Sequence, residues 1–182
     1  MAIQTFTSGQ ILTAADTNTY LANSGLVYVA STTASGAQTV VLTGAFNSTF
    51  DNYVLVYDGL VVNNNTVDLT LSLGSSVTNY QYAGFYNRYV ASALQPIAQS
   101  STSAWIIGTS GSATDVLSGS IEIYNPFKAA ATQYRTASYS ATWAYVVGGY
   151  QADATSYTAC TLKIGTGTLS TGKVTCYGYR KA

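Results

Sequence analysis

Asp16, Asp51, Asp58, Asp68, Asp115, Glu122 and Asp153 are the only carboxylic side chains in the sequence, and no histidine accompanies them. Without an imidazole, the Ser-His-Asp and Cys-His nucleophile pairs and the commonest zinc ligand are excluded together. Glycoside hydrolysis can run on two carboxylates alone, but it needs them as a close pair. Here the acids are scattered singly, and Asp68 and Glu122 fall on the polar side of alternating stretches, where a solvated surface is expected. A calcium ion held by loop carbonyls with Asp115 or Asp153 would need no motif, because oxygen ligands suffice. The sequence supplies no further sign of one, so the expectation is a protein that is not an enzyme and has no cofactor and no dedicated metal site.

Cys160 and Cys176 sit in the last two strand candidates. If the final hairpin is symmetric about its loop, Ile164 faces Gly172, Leu162 faces Val174 and Cys160 faces Cys176, all on the inner side. A cross-strand disulfide and two buried thiols both fit that register, and apolar neighbours favour the thiols. The 16 tyrosines are the other chemical resource, since a flat apolar ring with a polar tip suits both sugar rings and subunit contacts. Tyr80, Tyr82, Tyr86 and Arg88 share a face by the two-residue period of a strand and lie next to a polar loop. They form the candidate receptor or glycan contact, and the competing reading is that the rings fill the core or a subunit seam. The Ser and Thr-rich loops at 31–38, 100–103 and 109–114 are candidate tips for the same purpose.

The elements that must position these residues are almost all strands. From Leu26 onward, short apolar runs alternate with Gly, Ser, Thr and Asn clusters, the pattern of an all-β protein. Leu26–Ala30 and Thr39–Leu42 are the first candidates. Residues 53–62 are apolar on both faces and read as a central strand. Asn63, Asn64 and Asn65 then predict a tight connection into a hairpin partner, in which Val67, Leu69, Leu71 and Leu73 point inward. Tyr80–Tyr89 is followed by a polar loop over 92–103, a short strand opening at Trp105, and a strand with Leu117, Gly119, Ile121 and Ile123 inside, stopped at Asn125-Pro126. Residues 133–147 read as one long strand bent near Ser140, with Tyr139, Ala141, Trp143, Tyr145 and Val147 on one face and Gly148-Gly149 as its end. With 158–164 and 172–179 the count is eight to ten strands. An antiparallel β-sandwich of this size is most economically a jelly roll, with an immunoglobulin-like sandwich as runner-up.

The exception to the β pattern is a short N-terminal helix. Thr13 and Asp16 have the spacing of a capping box and Gly25 supplies the stop. Three turns are marginal in isolation, so the helix must dock through Leu12, Tyr20 and Leu21. Its surface is either the chain's own sheet or a neighbouring subunit. The expected organisation is an anchoring segment over 1–25 and one β-sandwich domain over 26–182.

Seven basic and seven acidic residues leave a net charge of zero, and charged residues are only 8% of the chain. No basic field is available for nucleic acid. The exterior must be hydroxyl, amide and tyrosine, which suits subunits that stay assembled with others. The first ten residues carry neither Lys nor Arg and no apolar core follows, so no secretory signal is expected, and no run is long enough for a membrane span.

The opening FTSGQILTAADTNTYLANSGLVYV (6–29) and the closing GKVTCYGYRKA (172–182) resemble small virion structural proteins of tailed bacteriophages, especially marine and cyanobacterial ones. The resemblance implies a particle-binding N-terminal segment, a β-rich exposed body of tail-fibre, spike or head-decoration type, a homotrimer, and a place in the virion after assembly in the host cytoplasm. Its partners would be other phage structural proteins and, for an appendage, a host surface glycan. A capsid cement protein and a free carbohydrate-binding module are the alternatives.

Overall fold

Strict alternation decides the inner face of most strands. In β4 (Asp68–Leu73), Leu69, Leu71 and Leu73 are fully buried while Asp68, Thr70 and Ser72 are not, as a two-residue period between a core and solvent requires. The computed structural model describes residues 7–11, 13, 25–91 and 93–180. The expected N-terminal helix, with Leu12, Tyr20 and Leu21, lies outside the described residues.

Among the described residues there are twelve strands, all paired antiparallel, in place of the eight to ten expected: β1 (Leu26–Thr33), β2 (Thr39–Leu42), β3 (Phe50–Val62), β4, β5 (Tyr80–Arg88), β6 (Gln95–Thr102), β7 (Trp105–Thr109), β8 (Val116–Tyr124), β9 (Thr132–Tyr139), β10 (Trp143–Gln151), β11 (Cys160–Ile164) and β12 (Leu169–Arg180). The larger sheet runs β1-β12-β3-β8-β9-β10-β5-β6 and the smaller β2-β11-β4-β7. One apolar core draws on both. The pairing is nested, because β12 lies between β1 and β3 as β11 lies between β2 and β4, while β8 beside β3 matches β7 beside β4. The hairpins β5–β6 and β9–β10 belong wholly to the larger sheet, and no described helix is long and apolar enough to cross a membrane.

Four local expectations are corrected. The Asn63–Asn65 run does not close a hairpin. It carries the chain from the larger sheet to the smaller, and its side chains tie down the β11–β12 connection: Thr168 N–H donates to Asn63 Oδ1 at 2.6 Å and Asn64 Nδ2 donates to Thr166 at 2.8 Å. The polar stretch after Tyr89 is not all loop, since β6 is built from it. Residues 133–147 are two strands, because the Ser140 hydroxyl accepts from Thr142 N and Trp143 N and folds the chain back. Tyr139 therefore faces out at 53% exposure, while β10 runs past Gly148-Gly149 to Gln151.

The fourth concerns the cysteines, which do not face each other across a hairpin. Cys160 pairs with Leu42 and Leu73 in the smaller sheet, whereas Cys176 pairs with Ala30 and Leu55 in the larger. Both are unbonded thiols with no exposure. Burial pushes the Cys176 thiol up to about 12 and Cys160 higher still. Neither is a thiolate at neutral pH, so iodoacetamide should leave both unmodified in the native protein and label both after denaturation, with mass spectrometry as the readout.

The two sheets are also joined by phenol groups. Tyr57 of β3 donates to the Ile107 carbonyl at 2.8 Å, and Tyr134 of β9 donates to the Ile106 carbonyl at 3.1 Å. Gly119 makes room for the first, because a Cβ there would stand 2.7 Å from the Tyr57 oxygen. Tyr57→Phe strands a buried carbonyl and should lower stability by about 1–3 kcal/mol in urea unfolding; an unchanged midpoint would mean that the bond contributes nothing.

Candidate functional site

The larger sheet has twice as many strands as the smaller, and β7 is one of the two edge strands of the smaller one. The side chains of Tyr82 and Tyr86 on β5 and Ile97 on β6, packed against the core, are consequently only half-buried, in contrast to the sealed residues further in. Beside them opens a cleft of about 500 Å³ lined by Asp68, Thr70 and Ser72 of β4, Lys163 of β11, Tyr82, and the β6–β7 turn at Thr102, Ser103 and Ala104. Register assembles it: Lys163 is the cross-strand partner of Thr70, and Asp68 is that of Thr109 on β7. The turn is pinned because Thr102 Oγ1 lies 3.1 Å from the Tyr80 carbonyl and 2.9 Å from that of Ala104.

From Asp68 a column of linked and stacked groups leads away from the cleft. Thr109 has one proton and two neighbours, Asp68 Oδ1 at 2.5 Å and the Tyr145 hydroxyl at 2.7 Å. A carboxylate can only accept, so Tyr145 donates to Thr109 and Thr109 to Asp68. Burial pushes the Tyr145 phenol up to about 12, which keeps it a donor. Tyr86 stacks on Tyr145 with centroids 5.2 Å apart and planes within 12°. Trp143 leans on Tyr86 at 5.5 Å, and the Arg88 guanidinium lies 5.2 Å from the centre of the indole. Tyr82 stands apart from the column. Burial raises its phenol above the ordinary range and the Asp68 charge adds to this, so it faces the cleft as a neutral donor.

The four residues expected to make a contact surface therefore have different fates. Tyr80 is fully buried, accepting from Leu73 N at 2.7 Å and meeting Trp105 edge-on at 5.1 Å, and cannot touch a receptor. Their shared face is the inner one, because the same alternation that aligns them also aligns Tyr80 with the core. Tyr86 and Arg88 belong to the column, and Tyr82 lines the cleft. The sequence pattern does not single out Trp143 or Lys163 for a site, whereas Thr109 falls in the candidate stretch 109–114 and the cleft residues Thr102 and Ser103 fall at the end of 100–103. Trp143 is the cross-strand partner of Arg88, a pairing that a single strand over 133–147 conceals.

Among the described residues, the carboxylates outside the cleft are each committed to a local partner. Glu122 takes two bonds from Arg135, at 2.8 and 2.7 Å, and one from the Tyr124 hydroxyl; the Arg135 bonds hold its pKa below the usual range. Asp51 pairs with Lys128 at 3.2 Å and Asp58 accepts from Ser118 at 2.6 Å. Asp153 accepts from Asn79 and Gln151. Asp115 accepts from Gly111 N at 2.7 Å and from the Ser112 hydroxyl at 2.8 Å. The oxygens of the two calcium candidates are thus turned toward protein donors, and no group of three or more His, Cys, Asp or Glu among the described residues is placed to hold a metal.

A second surface lies on the outer face of the larger sheet. Ala137, Val146, Phe85 and Pro96 are successive cross-strand partners on β9, β10, β5 and β6, and Val146 and Phe85 are 62% and 54% exposed.

Burial acts to raise the Asp115 pKa, but the bonds from Gly111, Ser112 and Thr142 outweigh it and the net shift is downward. A depressed carboxylate contributes stability that is present above its unfolded pKa of about 3.9 and lost as pH falls through the folded value. The melting temperature should therefore drop below about pH 4, and Asp115→Asn should lower it at pH 7 and flatten that acid limb. Parallel Tm–pH profiles for the two proteins would contradict this.

No protein-family model, no curated protein and no solved structure matches the chain.

Proposed function

We propose that the protein is a non-enzymatic structural component of a tailed-bacteriophage virion, a jelly-roll body displayed as a short tail fibre, spike or knob and attached through residues 1–25. The observation that carries this reading is where the two familiar-looking segments lie. The end of the first supplies the first half of β1 and the second supplies most of β12, and they are adjacent strands, with Leu26 opposite Tyr179, Val27 opposite Gly178 and Tyr28 opposite Tyr177. A likeness split between the two ends of the sequence is thus one continuous piece of sheet, directly after the expected anchor.

The strand order supports the jelly-roll part. Four strands β1-β12-β3-β8 and four strands β2-β11-β4-β7, with nested partners and connections that cross between sheets, are what a long hairpin wound around a common core produces. The hairpins β5–β6 and β9–β10 are additions on one side. The outer apolar row through Val146 and Phe85 supports assembly, since exposed apolar surface of this kind marks subunit contacts. The row fits a contact between copies of the chain, which the resemblance would make a homotrimer, and it is also the observation behind a second reading, a capsid cement protein that lays this face on the head.

Removing residues 1–25 should abolish incorporation into particles, scored by immunoblot of purified virions; normal incorporation would overturn the anchor. Sedimentation of the full chain should give a trimer that Val146→Lys together with Phe85→Lys dissociates. An appendage should bind host cells and ignore empty capsids, and the reverse preference would establish the cement reading.

A further inference from the structure

The cleft beside β7 has the composition of a receptor for a polyhydroxylated molecule. Its wall carries one carboxylate, Asp68, and one ammonium, Lys163, that is not engaged in an ion pair among the described residues. Between them lie the Ser72 and Ser103 hydroxyls and the Tyr82 phenol, none of which makes a side-chain hydrogen bond among the described residues. The volume of about 500 Å³ is within the range of ~300–1,000 Å³ typical of small-ligand sites. Donors and acceptors in near balance, with no excess of either charge, match alternating hydroxyls better than a phosphate or a cation. The aromatic ring supplies the apolar surface on which the C–H face of a pyranose packs.

Two features give the site order before any ligand arrives. Asp68 is held by Thr109, which is held by the buried Tyr145. The β6–β7 turn is fastened to β5 through Thr102. Preorganisation of this kind lowers the entropy that binding would otherwise cost. Tyr82 has Gly149 as its cross-strand partner, so no side chain on β10 stands beside its ring at that position.

We infer that the cleft bounded by Asp68, Tyr82, Ser103 and Lys163 binds a saccharide. On the appendage reading its natural ligand is a host-surface glycan, and that assignment rests on the reading; the chemistry of the cleft does not.

The full-length protein would be applied to a printed array of bacterial surface polysaccharides and their oligosaccharide fragments, and a fragment that binds would be titrated by calorimetry. Tyr82→Ala should weaken binding at least about tenfold and Lys163→Ala about threefold or more, with Asp68→Asn between them. Lys163 is exposed and makes no ion pair among the described residues, so its variant tests the cleft even if the other two unfold, which thermal melting would report. An array with no bound saccharide overturns the inference. So does a fragment whose affinity is unchanged in Lys163→Ala and Tyr82→Ala, because it must sit elsewhere. Neither result touches incorporation into virions, so failure of the cleft and failure of the virion reading are separately visible.

Discussion

A four-stranded sheet cannot cover an eight-stranded one, and the phenol groups that cross from the wide sheet to β7 are what make the mismatch tolerable. β7 is paired on one side only, with β4. Its carbonyls on the inner side would otherwise be buried without partners, at a cost of about 1–3 kcal/mol each. Tyr57 and Tyr134 meet two of them. The ring of Tyr134 also stacks on Trp105 at 4.3 Å, with Tyr80 meeting the same indole edge-on. Phenylalanine could supply the area but would leave the carbonyls bare. Serine or threonine could donate but could not span from one sheet to the other. Tyrosine does both, which explains why this chain is so rich in it inside a core.

The same constraint organises the ends of the sandwich. Every connection between the sheets must leave one hydrogen-bonded layer and enter the other, exposing backbone groups on the way. Amide side chains and hydroxyls take up that load: Asn63 and Asn64 on the β11–β12 connection, Asn65 on Ala113 N, and Ser110 on Val67 N. At another corner the fully buried Gln151 gathers Ser76, Asp153 and Tyr157. A chain that joins its layers with neutral polar groups needs few charges, and the low charge content is a property of the interior and corners as much as of the surface.

Local pattern made the individual strands legible and left their neighbours hidden. Val67 to Leu73 and Leu117 to Ile123 alternate so plainly that their inner faces could be read directly. The partner of β3 could not, because Asn63–Asn65 favours a turn without saying whether the turn stays in one sheet. Cys160 and Cys176 were assigned to one hairpin on loop symmetry, whereas the nested order sends β11 and β12 to different layers. The pair of Ser140 bonds that splits β9 from β10 depends on a single hydroxyl in an otherwise strand-like run. The cleft suffered most, since Asp68, Tyr82 and Lys163 come from three strands of two sheets and nothing in their spacing brings them together. Of Tyr80, Tyr82, Tyr86 and Arg88, Tyr82 alone lines it, together with Thr102 and Ser103 from the candidate stretch 100–103.

The origin of the cleft lies in the two added hairpins and in the glycines that let them sit where they do. A Cβ on Gly84 would stand 2.3 Å from the Val146 carbonyl oxygen, and one on Gly149 would stand 2.0 Å from that of Gln81. The β5 and β10 backbones therefore approach more closely than side chains on those positions would permit. Gly84 also separates Tyr82 from Tyr86 on the inner face of β5. Tyr86 turns to the Tyr145–Trp143–Arg88 column, while Tyr82, opposite Gly149, is left beside β4 and the β6–β7 turn. A side chain at either glycine would force the strands apart and shift both rings together. The aromatic column and the polar cleft are thus two consequences of one close strand pairing, and the shape of the cleft is set by packing that lies outside its lining.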